Sequence, residues 1–199
     1  MKFNFNKCFS NQGKEINGLF EVTPIVYKDS RGEFLEVYNK KEFFNANLNM
    51  NFVQDNQSQS VKGVLRGLHF QTKHPQGKLI RCVLGTFFDV AVDLRKGSET
   101  FGQYCGKILD DKKKNQFYIP EGFAHGFYVL SEIAICSYKC TDFYEPDGES
   151  GLMWNDPKIG INWPIENDMK KILAEKDLKY PDFDISKDYF DINGKWIGK

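Results

Sequence analysis

Four side chains capable of acid and base chemistry fall in two apolar, glycine-punctuated parts of the chain. His69 is closely preceded by Arg66 and is followed nine residues later by Lys78, and His125 lies in a second run of the same character. An imidazole titrates near neutral pH and therefore transfers protons efficiently. The residue types and their spacing indicate an active site built around a proton-transferring histidine.

The length and composition of the chain indicate one compact domain. Its 199 residues are 41% hydrophobic and 15% aromatic, which is enough for a single sizeable core. We expect residues 1–199 to form that domain, with residues 182–199 as a C-terminal tail that docks on the body or on a partner subunit. The 27 basic and 27 acidic residues balance. The net charge therefore predicts no nucleic-acid partner and no membrane partner.

The apolar runs and the cysteines of the chain indicate its cellular location and the state of its thiols. No apolar run approaches the roughly 20 residues of a membrane helix, and the first residues have no apolar signal core, so a cytoplasmic location is expected. The five cysteines include no Cys-x-x-Cys pair, which argues against a disulfide framework and against a zinc knuckle. We expect Cys82, Cys136 and Cys140 to be small buried apolar residues.

Short segments rich in β-branched and aromatic residues, with Gly or Pro at most ends, predict an all-β protein. The predicted strands include residues 20–23, 32–38, 79–84, 87–94, 116–119 and 133–139. Residues 41–46 and 167–176 are the two candidate short helices. Many short strands in one chain leave a sandwich, a barrel or a jelly roll as the architecture.

Strand periodicity assigns several side chains to faces. In the run 87–94, alternation places Asp89 towards a pocket and makes the opposite face the core. That core face consists of Phe88, Val90, Val92 and Leu94. Tyr138 shares its face with small residues, so it can point into a cavity. Strict alternation sends Arg66 and His69 to opposite faces, and Gly67 must interrupt the pleat if both reach one pocket.

Eight sequence runs together resemble the dTDP-4-dehydrorhamnose 3,5-epimerases, with matching order and spacing over residues 16–182. The runs are 52–56, 63–71, 76–79, 88–95, 97–102, 119–127, 138–142 and 154–164. The resemblance implies a double-stranded β-helix jelly roll of the cupin type that forms homodimers. It also implies an isomerase that inverts C3 and C5 of dTDP-4-keto-6-deoxy-glucose. Both carbons flank a ketone, so the site needs a base, a partner for the enolate oxygen and an acid on the opposite face.

The resemblance assigns a role to each candidate residue. His69 matches the general base, and Asp177 matches the carboxylate that pairs with the base, although Ala174 stands where the family usually has serine. Lys78 matches the cation that neutralises the enolate oxygen, and Tyr138 matches the phenol that returns a proton to the other face. The positions that match nucleotide and sugar contacts are Arg31, Glu36, Gln54, Asn56 and Arg66. His125 matches a second histidine that contacts the substrate. Asp89 is expected to bond to His125 or to the base.

Cofactor requirements follow from the histidine pattern. Cupins commonly bind a metal through a His-x-His pair with a following Glu and a distant His, but Leu68 and Phe70 flank His69. No glycine-rich phosphate loop leads into a helix. We therefore expect no metal and no organic cofactor.

Three other function classes are compatible with the same fold. A related enzyme could epimerise C3 alone or move the ketone from C4 to C3, a silent cupin could bind a nucleotide sugar without reaction, and a metal-dependent oxygenase is a third class. The presence of His69 and Tyr138 favours 3,5-epimerisation over the first of these. The set of base, cation and acid opposes the second, and the missing ligands oppose the third.

Overall fold

The computed structural model describes residues 2–166 and 169–198, and short antiparallel strands dominate these residues. The strands are β1 (Phe3–Phe9), β2 (Glu15–Pro24), β3 (Val26–Asp29), β4 (Gly32–Leu35), β5 (Gln54–Val61), β6 (Leu65–Gln71), β7 (Lys78–Leu84), β8 (Thr86–Asp93), β9 (Tyr104–Asp110), β10 (Gln116–Ile119), β11 (Phe123–Val129), β12 (Ile133–Cys140) and β13 (Glu149–Gly151). The helix α1 spans Lys40–Asn45, and Pro146–Gly148 and Glu175–Leu178 are short 3-10 helices. The all-β prediction is confirmed.

Two facing sheets form the body of the molecule. One has six strands in the order β1-β2-β10-β7-β12-β5, and the other has five in the order β13-β6-β11-β8-β9. Strands β3 and β4 pair as a separate hairpin. Neighbouring strands in both sheets are antiparallel, and many neighbours are distant in sequence. This is the jelly-roll arrangement that the resemblance implied.

The main core lies between the sheets. Ile80 and Phe117 from the six-stranded sheet pack with Phe87 and Phe127 from the five-stranded sheet in one buried cluster. All five cysteines are buried free thiols, which confirms the expectation for Cys82, Cys136 and Cys140. Large apolar side chains facing each other across the two sheets hold the strand ends, and hence the site, in fixed positions.

The outer face of the five-stranded sheet is also buried, because the C-terminal segment covers it. Phe183, Tyr189 and Phe190 pack with Val90 in a second cluster, and Phe190 also forms a bridge to Arg95 outside the named strands. The tail therefore docks on its own chain. The prediction that only one face of residues 87–94 is core is wrong. Phe87 and Ala91 are fully buried on the other face.

The helix predictions have different outcomes. The predicted helix 41–46 is α1, which begins one residue earlier, after Asn39 caps it by accepting from two backbone amides. In the predicted helix 167–176, residues 167–168 lie outside the described part, and residues 169–174 are not helical. The 3-10 helix Glu175–Leu178 takes its place. None of the helices in the described residues is both long and apolar enough to cross a membrane.

Candidate active site

A cavity of about 570 Å3 opens between the two sheets. It brings together six of the ten predicted site residues, which come from strands β6, β7, β11 and β12 and from the C-terminal 3-10 helix. These six are Arg66, His69, Lys78, His125, Tyr138 and Asp177. Cavities of this size accommodate small organic ligands, and concave sites with a few converging polar groups are the usual form of an active site.

A bulge in β6 allows Arg66 and His69 to face the same cavity. His69 pairs with His125 and Arg66 pairs with Phe127, so β6 has one more residue than β11 between these pairs. Gly67 has a φ of +128°, and a Cβ placed there would lie 2.5 Å from the Cα of Gly126. Only glycine fits this crowded, left-handed position. The interruption of the pleat at Gly67 is thus observed.

His69 is hydrogen-bonded to Asp177. The distance from Nε2 to Oδ1 is 2.6 Å, and the side chain of Asp177 is only 2% exposed while that of His69 is 30% exposed. The ring of Tyr180 meets the imidazole edge to face at 5.7 Å. A buried carboxylate fixes the orientation of an imidazole and stabilises its protonated form. His69 is therefore held in a fixed orientation, and its partly exposed imidazole lines the cavity where a ligand would bind.

Lys78 begins β7 and lines the cavity wall. Burial lowers the pKa of its ammonium group, and Cys140, Glu121 and Asp89 oppose this shift. Cys140 is the cross-strand neighbour of Lys78 on β12, and burial raises the pKa of its thiol, which therefore remains neutral. A cation in a site poor in water stabilises a developing negative charge more strongly than it would in bulk solvent.

Tyr138 lies on β12 and also lines the cavity. Burial raises its pKa to about 12, with smaller contributions from Cys140 and Cys136, while Arg66 opposes the shift. The phenol is therefore protonated at neutral pH. A protonated hydroxyl at the cavity wall is a proton donor.

His125 forms a second histidine–carboxylate pair, with Asp89. The distance from Nε2 to Oδ1 is 2.6 Å, and Asp89 is fully buried. Of the two partners left open for Asp89, the structure selects His125. Because His69 and His125 are cross-strand neighbours, two such pairs stand side by side in the wall of the cavity.

Gln54 and Asn56 lie on β5 beside the cavity wall. Alternation places them on the same face as Ser58, which lines the cavity. The Gln54 side chain donates to Asn56 Oδ1 at 3.0 Å and accepts from the backbone amide of Tyr144 at 3.0 Å. These amides extend the polar surface from the cavity along β5.

Arg31 and Glu36 are located elsewhere on the molecule. Arg31 is an exposed residue of the turn between β3 and β4, where Nη2 lies 2.6 Å from Asp29 Oδ2. Glu36 pairs with Lys2 at 2.7 Å. Neither residue lines the cavity of its own chain. Their predicted contact with substrate remains a prediction.

Sequence reasoning missed a polar cluster at the edge of the cavity. Glu149 accepts hydrogen bonds from Tyr144 at 2.5 Å and from Tyr180 at 3.3 Å, and it pairs with Lys176. Burial opposes the ionisation of Glu149, but the hydrogen bonds from Lys176 and Tyr144 outweigh it and lower its pKa. The position of Lys176 beside Asp177 was the only signal in the sequence for this cluster. Within the described ranges, no three His, Cys, Asp or Glu side chains converge as a metal site requires.

Comparison with known proteins gives a consistent set of relatives. Residues 13–184 match the family model described as dTDP-4-dehydrorhamnose 3,5-epimerase. A protein of that name from Methanothermobacter thermautotrophicus is 52% identical over 165 residues, which cover 83% of this chain and 89% of the relative. The similarity extends over nearly the whole of both proteins.

Solved structures give the same result. The crystal structure of dTDP-4-dehydrorhamnose 3,5-epimerase from Elizabethkingia anophelis superposes with a TM-score of 0.84 at 46% identity, covering 92% of this chain and 97% of that one. A dTDP-6-deoxy-D-glucose-3,5-epimerase from Legionella pneumophila, in complex with dTDP-4-keto-L-rhamnose, gives a TM-score of 0.83 at 44% identity and covers 90% and 93% of the two chains.

Proposed function

The chain belongs to the dTDP-4-dehydrorhamnose 3,5-epimerase family, and from that premise we propose how its cavity performs the family's reaction. The enzyme inverts C3 and C5 of dTDP-4-keto-6-deoxy-glucose and gives dTDP-4-keto-L-rhamnose. The observation that supports the residue assignment best is the cavity that unites the His69–Asp177 pair with Lys78 and Tyr138.

The C4 ketone makes the reaction possible. Removal of a proton from C3 or C5 leaves an electron pair that is delocalised onto the C4 oxygen as an enolate. His69 is the base, and Asp177 stabilises the imidazolium that forms. Lys78 supplies the positive charge opposite the enolate oxygen. The pair His69–Asp177 comes from one side of the cavity, and the phenol of Tyr138 on β12 comes from the facing sheet.

Inversion needs the proton to return from the face opposite the base. A base alone restores the proton to the side from which it came, and the configuration is then retained. Tyr138 is protonated at neutral pH, so it can donate to the enolate carbon from its own sheet. The phenolate then takes a proton from solvent and the His69 imidazolium releases one to solvent, which restores both groups for the second carbon. Arg66, His125, Gln54 and Asn56 then bind the nucleotide and the sugar, with the forked donors of Arg66 suited to a diphosphate.

The direct test of the activity is turnover of dTDP-4-keto-6-deoxy-glucose in heavy water. We expect deuterium at both C3 and C5 of the product, because each inversion replaces one carbon-bound proton with one from solvent. Mass spectrometry gives the number of deuterons, and NMR gives their positions and the configuration. Deuterium at C3 alone would instead identify a C3 epimerase.

We further propose that the enzyme is a homodimer. The β3–β4 hairpin exposes Tyr27 (53%) and Phe34 (66%), and it carries Arg31, which lies away from the cavity of its own chain. A second copy would cover these aromatic side chains and could bring the hairpin to a substrate. Light scattering at micromolar concentration should give twice the mass of the chain, and a monomer would contradict the proposal.

A cytoplasmic location is also proposed. All five cysteines are free thiols, as is usual for proteins of reducing compartments. Fractionation of the native host should place the activity with the cytoplasmic proteins.

A further inference from the structure

The 3-10 helix that carries Asp177 depends on its surroundings for its position. It spans only Glu175–Leu178, and Ala174 at its N-cap position makes no side-chain hydrogen bond to the first backbone amides. A helix this short is not stable alone. The strand that carries His69 is by contrast paired on both sides within its sheet. The hydrogen bond between His69 and Asp177 therefore depends on contacts that join the C-terminal segment to that sheet.

Tyr180 makes such a contact with His69 itself. Its ring lies nearly edge to face with the imidazole, with the ring centroids 5.7 Å apart and the planes at 65°. Aromatic rings attract each other in this arrangement. Tyr180 follows shortly after the end of the 3-10 helix, and it does not line the cavity. It therefore packs against the imidazole from outside the space that a ligand would fill.

Gly151 makes room for the Tyr180 ring. This glycine lies on β13 directly opposite His69 on β6. A Cβ at Gly151 would lie 2.8 Å from both Cδ2 and Cε2 of Tyr180, and 2.5 Å from the carbonyl oxygen of Leu68. A side chain at this position would displace the ring, so the close approach requires glycine. The ring thus rests on the cross-strand neighbour of His69.

The hydroxyl of Tyr180 fixes the far end of the side chain. It donates to Oε1 of Glu149 at 3.3 Å, and Glu149 lies on β13. Glu149 is itself held by its ion pair with Lys176 and by a hydrogen bond from Tyr144. Burial and the neighbouring charge of Glu149 raise the pKa of the Tyr180 phenol, which therefore remains a donor. Strand β13 holds Tyr180 at both its ring and its hydroxyl.

We propose that Tyr180 is a positioning residue for proton removal: its ring packs against His69 and keeps the imidazole aligned with Asp177 and with the substrate carbon. The inference rests on the role proposed above for His69. A base reaches a C–H bond productively only within a narrow range of distances and angles, and a displacement of about 1 Å can slow a reaction by about 100-fold. The ring controls this alignment without contacting the substrate.

Two variants separate the ring from the hydroxyl. Tyr180→Leu removes both and keeps an apolar side chain, whereas Tyr180→Phe keeps the ring. We expect Tyr180→Leu to lower kcat per mole of folded enzyme by about 10-fold to 100-fold, with KM little changed, because the ring aligns the base and does not bind the ligand. Tyr180→Phe should retain near-normal kcat. The measurements are deuterium incorporation at C3 and C5 over a range of substrate concentrations, with circular dichroism giving the folded fraction.

Tyr189→Leu is the matched control. Tyr189 is a buried tyrosine of the same C-terminal segment, its ring stacks on Phe183 at 5.8 Å, and it does not line the cavity. This variant should lower stability and leave kcat of the folded enzyme unchanged. Normal kcat in Tyr180→Leu, or an equal loss in Tyr189→Leu, would overturn the inference. A loss in Tyr180→Phe as large as in Tyr180→Leu would overturn it too, since the hydroxyl and not the ring would then be required.

The variant His69→Asn distinguishes a failure of this inference from a failure of the proposed function. If His69→Asn is inactive and Tyr180→Leu is normal, only the inference fails. If His69→Asn exchanges normally, the proposed role of His69 is wrong.

A measurement on the unaltered enzyme tests the contact even if Tyr180→Leu does not fold. Nuclear Overhauser spectra report on hydrogens that lie close together, and Tyr180→Phe and His69→Asn assign the signals of the two rings. We expect cross-peaks between the Tyr180 ring and the His69 imidazole, together with a single set of His69 signals. The absence of these cross-peaks in the folded enzyme would overturn the inference.

Discussion

Replacement of His69 by asparagine should abolish deuterium exchange at C3 and at C5 alike. If His69 removes both protons, no enolate forms at either carbon in His69→Asn, and exchange should fall by about 100-fold to 10,000-fold, the usual contribution of one general base. Asparagine preserves much of the shape and can still donate to Asp177. The measurement is deuterium incorporation into substrate and product in heavy water, resolved by position with NMR.

His74→Asn is the matched control for this experiment. His74 also pairs with an aspartate, since its Nδ1 lies 3.1 Å from Asp142 Oδ2, but it is exposed and does not line the cavity. Exchange should be unchanged in His74→Asn. If His69→Asn still exchanges either position at the normal rate, a different group is the base for that carbon.

The strands were predictable from sequence because their composition is local information. The predicted run 116–119 is β10, and the run 133–139 differs from β12 by one residue. The segment that packs on a strand, by contrast, cannot be predicted from the residues of the strand itself. Alternation in residues 87–94 gave one buried face, which the C-terminal segment covers, but β8 has a second buried face, because Phe87 and Ala91 pack against the six-stranded sheet. The predicted face is covered by residues about 100 positions away in sequence, and the second face is covered by a different sheet, so composition within the strand indicates neither cover.

The part of the site that comes from one short region of the sequence could be predicted from its residue types and their spacing. Arg66, His69 and Lys78 lie in one glycine-punctuated region, and the bulge at Gly67 allows Arg66 and His69 to meet. The contact between His69 and Asp177 could not be predicted in this way, because the 107 residues between them carry no periodic signal that brings the two together. Only the family resemblance indicated this contact. The Glu149 cluster was missed for the same reason, since Tyr144, Lys176 and Tyr180 meet it only after β13 has paired with β6.

Tyr138→Phe should separate proton removal from inversion. The variant loses only the hydroxyl, so His69 can still form the enolate and return a proton to the face from which it came. We therefore expect exchange with retention to continue, while inversion slows by about 100-fold to 10,000-fold, most strongly at C5. The measurement compares the deuterium content of recovered substrate with the amount of inverted product, from the same reaction in heavy water.

Tyr118→Phe controls for the loss of a buried phenol. Tyr118 lies on β10 of the same sheet, burial raises its pKa above the usual value, and it does not line the cavity. Its variant should invert both carbons at the normal rate. Equal loss of exchange and inversion in Tyr138→Phe would contradict the assignment of base and acid to opposite faces, because enolate formation would then itself require the phenol. Tyr138 would in that case be the base or part of the enolate's stabilisation, and His69 would have to be assigned anew.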